Sequence, residues 1–397
     1  MPGRSPAAAT PGGPKQPSQG PRHWMTLRYD LATAVLLLST LLTSTISPGQ
    51  AARTPAGWQL VDPWPSAEAT MGIRGQPVTF PSSSPFTPRD APRAKPTTAV
   101  ATLYLPPSGG AVARPRSVPA VVLLHGAGGV LAAREHTYGR QFAAMGAAAL
   151  VIDVFDARRD RATGFTERLL EITESMAIAD AYAGLRFLAT RSEVDPGRVA
   201  LIGFSYGAMA TMYALSAGVA ALMAPGGERF AAHAAFYGPC IARFADPRTT
   251  GAPLLILYGT DDALIDPVRC EGFAADARRG GSRVDVMAYP GAVHQWDGGQ
   301  PRHSIGRLLN RCRLSVQEDG GVRDLRTGLP MSGPILRRAI LALCVDDEPY
   351  IIGADDAVRT RSNRDLGQFL DPIFKGVGRA HEDRPAALHR PRRGTGE

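Results

Sequence analysis

The most constraining stretch of the chain is Val199-Ala-Leu-Ile-Gly203-Phe-Ser205-Tyr-Gly207, followed by Ala208-Met-Ala-Thr-Met-Tyr213. An apolar run of strand character meets Gly-x-Ser-x-Gly and leaves as a helix. The two glycines permit a turn too sharp for a Cβ, and that turn leaves a serine exposed at the carboxyl end of the strand. The first amides of the following helix point at the space in front of the serine, where a forming anion would be stabilised. Such a unit belongs in a parallel sheet, so the rest of the chain should supply further strand and helix pairs.

Those pairs are readable. Candidate strands fall at Pro77–Pro81, Ala99–Leu105, Pro119–His125, Ala147–Val154, Arg198–Phe204, His233–Tyr237, Pro253–Tyr258 and Arg283–Tyr289. Between them lie helical patterns at Arg134–Gly146, closed by a glycine cap, at Thr166–Thr190, at Tyr206–Ala217 and near Pro267–Arg278. Continuous apolar strands alternating with amphipathic helices imply an α/β fold, a mostly parallel sheet of about eight strands covered on both faces. Farther on, Cys312–Val316 and Gly321–Leu325 flank a turn signal and suggest a hairpin. Ile335–Val345 and Asn363–Phe374 read as helices, the second capped by Ser362 or Asn363.

The ends differ from the middle. The chain has 397 residues and a formal net charge of +8, with Arg4, Lys15, Arg22 and Arg28 against Asp30 at its start and an Arg/Pro-rich stretch at its end. The only lysines are Lys15, Lys95 and Lys375. No basic stripe with interleaved aromatics stands out, so nucleic acid is not an expected partner. Residues 1–24 are Pro, Gly, Ala and Ser with scattered charge. Then Arg28 precedes an apolar run, Leu31–Leu42, and Gly49-Gln50-Ala51 offers small residues at a cleavage site. This pattern is a secretory signal peptide, with Met25 the expected start, and the run is short for a membrane span. The expected organisation is an extension plus signal at 1–51, a Pro-rich irregular segment at 52–96, a catalytic core at 97–300, a hairpin and helices packed on the core at 301–375, and a disordered tail at 376–397. The pattern leaves open whether 301–375 also shapes a lid or a dimer contact.

A serine hydroxyl becomes a useful nucleophile only with a base held by an acid. Behind Ser205, the strand Pro253–Tyr258 ends in Gly259-Thr-Asp261-Asp262, and the strand Arg283–Tyr289 ends in Pro290-Gly-Ala-Val-His294. The preferred set is Ser205, Asp262 and His294. Asp261 is the competing acid, and Asp266 is the weaker third, placed to cap the helix at Pro267. His233 and His303 read as structural. The oxyanion of an acyl transfer needs two backbone donors. Tyr206, after the serine, is one. Ala127, in the loop His125-Gly-Ala-Gly-Gly129, is the other, with His125 itself a structural hydrogen-bonder. That loop lacks the lysine of a phosphate loop.

Taken together, Leu123-Leu-His125-Gly-Ala-Gly-Gly129, Val194-Asp-Pro-Gly-Arg-Val-Ala-Leu-Ile-Gly-Phe-Ser205-Tyr-Gly-Ala208, Phe236-Tyr-Gly-Pro-Cys240, Gly259-Thr-Asp-Asp262 and Tyr289-Pro-Gly-Ala-Val-His294 resemble the dienelactone hydrolase family of the α/β-hydrolase superfamily. The resemblance spans roughly residues 77–300. It implies an α/β-hydrolase fold, Asp262 as the acid, His294 as the base, and hydrolysis of a small carboxylic ester or lactone without metal or cofactor. The best-known members carry a cysteine where Ser205 stands and are cytoplasmic, whereas this chain reads as exported, periplasmic or secreted. In that fold Cys240 follows the strand before Asp262 and Cys270 lies just beyond Asp262. The favoured disulfides among three connectivities are therefore Cys240–Cys270 and Cys312–Cys344, in keeping with an oxidising compartment, with four buried thiols as the alternative. Arg158 and Arg159 follow a strand and are either contacts for a substrate carboxylate or part of a solvated loop. Two other readings of the same residues are a peptidase or amidase and a non-catalytic binding protein of the same fold.

Overall fold

The computed structural model describes residues 57–107, 117–306 and 311–377. The signal peptide read at Met25–Ala51 and nearly all of the tail assigned to 376–397 lie outside the described residues. After a one-turn helix α1 (Ala67–Thr70), the chain runs β1 (Gln76–Ser83), β2 (Pro96–Tyr104), β3 (Val118–Leu124), α2 (Glu135–Ala144), β4 (Ala148–Asp153), α3 (Phe165–Glu171), α4 (Glu174–Ala189), β5 (Val194–Phe204), α5 (Tyr206–Ala214), α6 (Ala217–Met223), β6 (Ala232–Phe236), β7 (Ala242–Phe244), β8 (Leu254–Gly259), α7 (Pro267–Arg279) and β9 (Val284–Tyr289). It continues through β10 (His303–Ile305), β11 (Leu314–Val316), β12 (Val322–Asp324), α8 (Pro334–Cys344), β13 (Tyr350–Ile352) and α9 (Asp356–Phe374).

Eight strands form one sheet in the order β1-β2-β4-β3-β5-β6-β8-β9. The β1–β2 and β2–β4 pairs are antiparallel, and every pair from β4 to β9 is parallel. This is the α/β-hydrolase fold. Strand β3 is buried along its whole length. Its alternate residues serve different layers: Ala120, Val122 and Leu124 face the α4 and α5 side, while Val121 and Leu123 face the α2 side. A strand covered on both faces has no polar side to show, which is why it reads as an unbroken apolar run. Each fully buried Val, Leu or Ile contributes about 1.5–3 kcal/mol.

The helical pattern at Thr166–Thr190 is two helices. Ile172 and Thr173 are extended and buried between α3 and α4. The break turns α3 away from the core, so Leu169 and Leu170 line a cavity instead of continuing the α4 stripe. Apolar spacing is the same on both sides of the break, so periodicity alone reads straight through it.

The last helix also differs from the sequence expectation. It begins at Asp356, with the Asp355 side chain accepting the Val358 N–H as its cap. Ser362 and Asn363 are mid-helix rather than capping. The Ser362 hydroxyl takes the Trp296 indole N–H at 3.0 Å, and Asn363 Oδ1 takes the Tyr138 hydroxyl at 2.7 Å. These polar side chains resemble caps by type, yet they satisfy buried aromatic donors of the neighbouring layer.

Both disulfides are present, Cys240–Cys270 and Cys312–Cys344, with Cα atoms 5.1 and 4.8 Å apart. Strands β11 and β12 form an antiparallel hairpin, and β11 also pairs in parallel with β7 of the core. Among the described residues no helix is long and apolar enough to cross a membrane.

Candidate active site

Ser205 sits between β5 and α5 with φ 51° and ψ −108°, a left-handed conformation that a non-glycine residue adopts only when its surroundings impose it. Its N–H is held by the Phe236 carbonyl at 2.9 Å. The flanking glycines are obligatory. A Cβ on Gly203 would lie 2.2 Å from the Gly207 carbonyl oxygen, and one on Gly207 would lie 2.4 Å from that of Leu124.

The ends of β5, β8 and β9 bring three side chains together. His294 Nε2 is 2.8 Å from Ser205 Oγ, and His294 Nδ1 is 2.7 Å from Asp262 Oδ2. The other Asp262 oxygen accepts the Leu264 N–H at 3.0 Å. With a carboxylate on Nδ1, that nitrogen carries the proton and Nε2 is left to accept one from the serine. All three residues are buried. Asp261 points elsewhere: it is exposed and accepts the Thr260 hydroxyl. Asp266 accepts the Arg269 N–H at the start of α7.

Ala127 and Tyr206 border the same cavity as Ser205 and His294. Tyr206 opens α5, so its N–H has no partner within the helix. His125 is turned away from the serine. Its Nδ1 bonds the Gly126 carbonyl at 2.7 Å, and its Nε2 accepts the Val154 N–H at 3.1 Å. His233 is wholly buried against the Thr211 carbonyl, and burial pushes its imidazole down to about 4. His303 lies at an exposed strand edge, in β10, on the rim of the cavity.

The expectation that Arg158 meets substrate does not hold. Its side chain is 1% exposed, with Asp180 fully buried beside it at 2.6 Å. It also donates to Ser84 Oγ and to the Ser83 and Val154 carbonyls. Arg158 thus ties β1 and the end of β4 to α4. It is neither a substrate contact nor part of a solvated loop. Arg159 is 74% exposed, pairs with Asp156 and does not border the cavity.

Sequence reasoning missed a second layer behind His294. The Tyr237 ring meets the His294 ring edge-on with centroids 4.7 Å apart, and Tyr237 has φ 42°. Its hydroxyl donates to Asp297 Oδ1 at 2.5 Å and accepts from Arg134 at 3.3 Å, while Arg134 also bonds Glu135 at 2.7 Å. Burial alone would favour a neutral Arg134, but the carboxylates of Glu135 and Asp297 outweigh it and hold the guanidinium protonated. Burial pushes the Asp297 carboxyl up, with Arg134 opposing. This buried network fixes the ring against which His294 rests. Its only signal in the sequence is Phe236-Tyr-Gly-Pro, whose type does not disclose the role.

The cavity over these residues has a volume of about 1220 Å³. Among the described residues no cluster of three or more His, Cys, Asp or Glu forms a metal-ligand set.

The profile of the dienelactone hydrolase family matches residues 109–304. Ser205, Asp262 and His294 all lie within that match. As a dienelactone hydrolase relative it is a carboxylic ester hydrolase. No curated protein matches the chain. Solved structures similar to it include a dienelactone hydrolase-like promiscuous phosphotriesterase from metagenomic libraries, 22% identical, covering 56% of this chain and 84% of that one with a TM-score of 0.40. Esterase 2 of Thermogutta terrifontis is 19% identical, covering 50% and 80% with a TM-score of 0.39. An alpha/beta hydrolase from a Medee basin deep-sea metagenome library is 18% identical, covering 50% and 79% with a TM-score of 0.38.

Proposed function

We propose that this dienelactone hydrolase relative cleaves a small-molecule carboxylic ester or lactone through a Ser205 acyl-enzyme, with His294 as base and Asp262 as its orienting acid. The observation that carries the reading is the unbroken hydrogen-bonded line from Ser205 Oγ through His294 to Asp262 beneath an open cavity. Ser205 Oγ attacks the ester carbonyl while its proton passes to His294 Nε2. The tetrahedral oxyanion is held by the Ala127 and Tyr206 amides. Collapse breaks the bond to the alkoxy oxygen, which takes the proton from His294. In a lactone that alcohol stays attached to the acyl group. Water, deprotonated by His294, then attacks the acyl-enzyme, and the acid leaves with Ser205 restored.

A fluorophosphonate probe and p-nitrophenyl acetate test this together. The parent protein should label at Ser205 and release nitrophenolate, and Ser205→Ala should do neither. A folded parent that neither labels nor turns over would mark a binding protein on a hydrolase fold. The two disulfides support export to an oxidising compartment, in line with the leader read at Met25–Ala51. A mature N-terminus at Ala52, found by N-terminal sequencing of exported protein, is the expected result.

A further inference from the structure

The cavity above Ser205 has two kinds of wall. One is the family core. The other is a later segment that lies beyond the matched stretch, which ends at 304. From that segment Leu341, Val345, Tyr350 and Ile352 line the cavity, and so do Leu169 and Leu170 of the adjoining α3. Tyr350 reaches the catalytic end, with its ring centroid 6.4 Å from that of His294, and it forms a small apolar cluster with Leu264 and Ile352. At the mouth, Phe165 keeps an aromatic ring half in solvent.

This wall is fastened in place. Arg337 of α8 is buried, grips both Glu174 oxygens at 3.0 Å and donates to the Leu169 carbonyl at 2.8 Å. Cys344, at the end of α8, is bonded to Cys312. Strand β13 bridges His294 through Ile352, and the Gly353 N–H donates to the His294 carbonyl at 2.8 Å. At Gly353 the chain has φ 140°, and a Cβ there would lie 2.5 Å from the Arg302 Cα, so only glycine lets the strand close on the loop.

We propose that residues 311–353 are the specificity wall of this hydrolase and that its ester carries one large apolar group, seated along the adjoining α3 and α8. The inference rests on the serine hydrolase reading above and names the substrate class of that site. Small-ligand sites usually measure roughly 300–1,000 Å³. A volume of about 1220 Å³ is more than an acetyl group can fill. Apolar side chains make up most of that wall, with Arg338, Asp347 and Glu167 also bordering the cavity, and each methylene withdrawn from water against the apolar part tightens binding by up to roughly fourfold.

The test compares kcat/KM for p-nitrophenyl acetate, p-nitrophenyl decanoate, and decyl acetate, which places the long chain on the alcohol. Wild type should favour one of the long esters over p-nitrophenyl acetate by at least about tenfold, and which one it favours tells the side of the ester that lies in the wall. Leu341→Trp should lower that long-to-short ratio at least about tenfold. The double variant Cys312→Ser/Cys344→Ser should lower it in the same sense. Ile335→Ser, on the exposed face of α8, should leave the ratio as in wild type. Equal rates on all three esters, a preference for the short one, or a ratio that Leu341→Trp does not move would overturn the specificity wall while Ser205-dependent turnover kept the hydrolase reading. No turnover and no Ser205 labelling in a folded parent would remove both.

Discussion

The floor and the far wall of the cavity are built by different means. Ser205, Asp262 and His294 stand at the ends of β5, β8 and β9, whose neighbours on the sheet are long, parallel and buried. The far wall rests on three-residue strands and one half-exposed helix, α8. It stays in place through cross-links: a disulfide, the Arg337–Glu174 pair and the Gly353 hydrogen bond. The floor gains its geometry from the cooperative sheet, and the wall gains its geometry from a few local fasteners. Chemistry and selectivity are thereby separable, because a change in a fastener need not disturb the sheet.

The largest effect expected is on the floor. Ser205→Ala should lower kcat on an ester by about 10⁴-fold or more, and Asp262→Asn by roughly 10³–10⁴-fold, both read by steady-state kinetics. Asp261→Asn should stay within about threefold. If Asp261→Asn proved the more damaging, the floor would be wired differently from the Asp262–His294 hydrogen bond.

Next comes the frame beneath it. Arg158→Met strands the fully buried Asp180 and should cost about 3–5 kcal/mol in urea unfolding. Arg159→Ala, at an exposed pair, should stay within about 1 kcal/mol. Equal effects at the two positions would break the contrast between a buried fastening and a surface one.

The pH response follows from His233 in β6, whose imidazole titrates at about 4 in the fold against 6.5 when unconstrained. Between those values the unfolded chain binds the extra proton. Stability is therefore full above about pH 6.5, falls as the pH drops toward 4, and loses about 3 kcal/mol across that window. Urea midpoints measured through the window should show this slope, and His233→Gln should flatten it. A small effect is expected just beyond the wall: Asp355→Ala removes the cap of α9 and should cost about 1 kcal/mol in thermal unfolding.

The floor is also the part that is legible in sequence. Strand β3 is covered on both faces, so its run Val118–Leu124 is apolar without alternation, and the Gly203 and Gly207 pair marks the turn because no other residue fits. The chain order of Ser205, Asp262 and His294 is readable from the strand each one follows. Choosing between Asp261 and Asp262 is harder, because adjacent loop residues differ only in the direction they face. Arg158 misleads by sequence because its partner Asp180 lies on the buried part of a helix far along the chain. The wall is least legible. Strand β10 pairs with β13 and β11 with β7, and strands of three residues carry no periodicity of their own. Their positions depend on partners far along the chain.

That distance matters while the protein is being made. A growing polypeptide that has emerged as far as residue 300 already contains Ser205, Asp262 and His294. It still lacks β13 and the Gly353 N–H that meets the His294 carbonyl, and it lacks α9, whose Ser362 hydroxyl accepts the Trp296 indole N–H. Segments made after Ser205, Asp262 and His294 therefore complete the surroundings of His294, and a chain clipped before β13 would hold the three side chains without that frame.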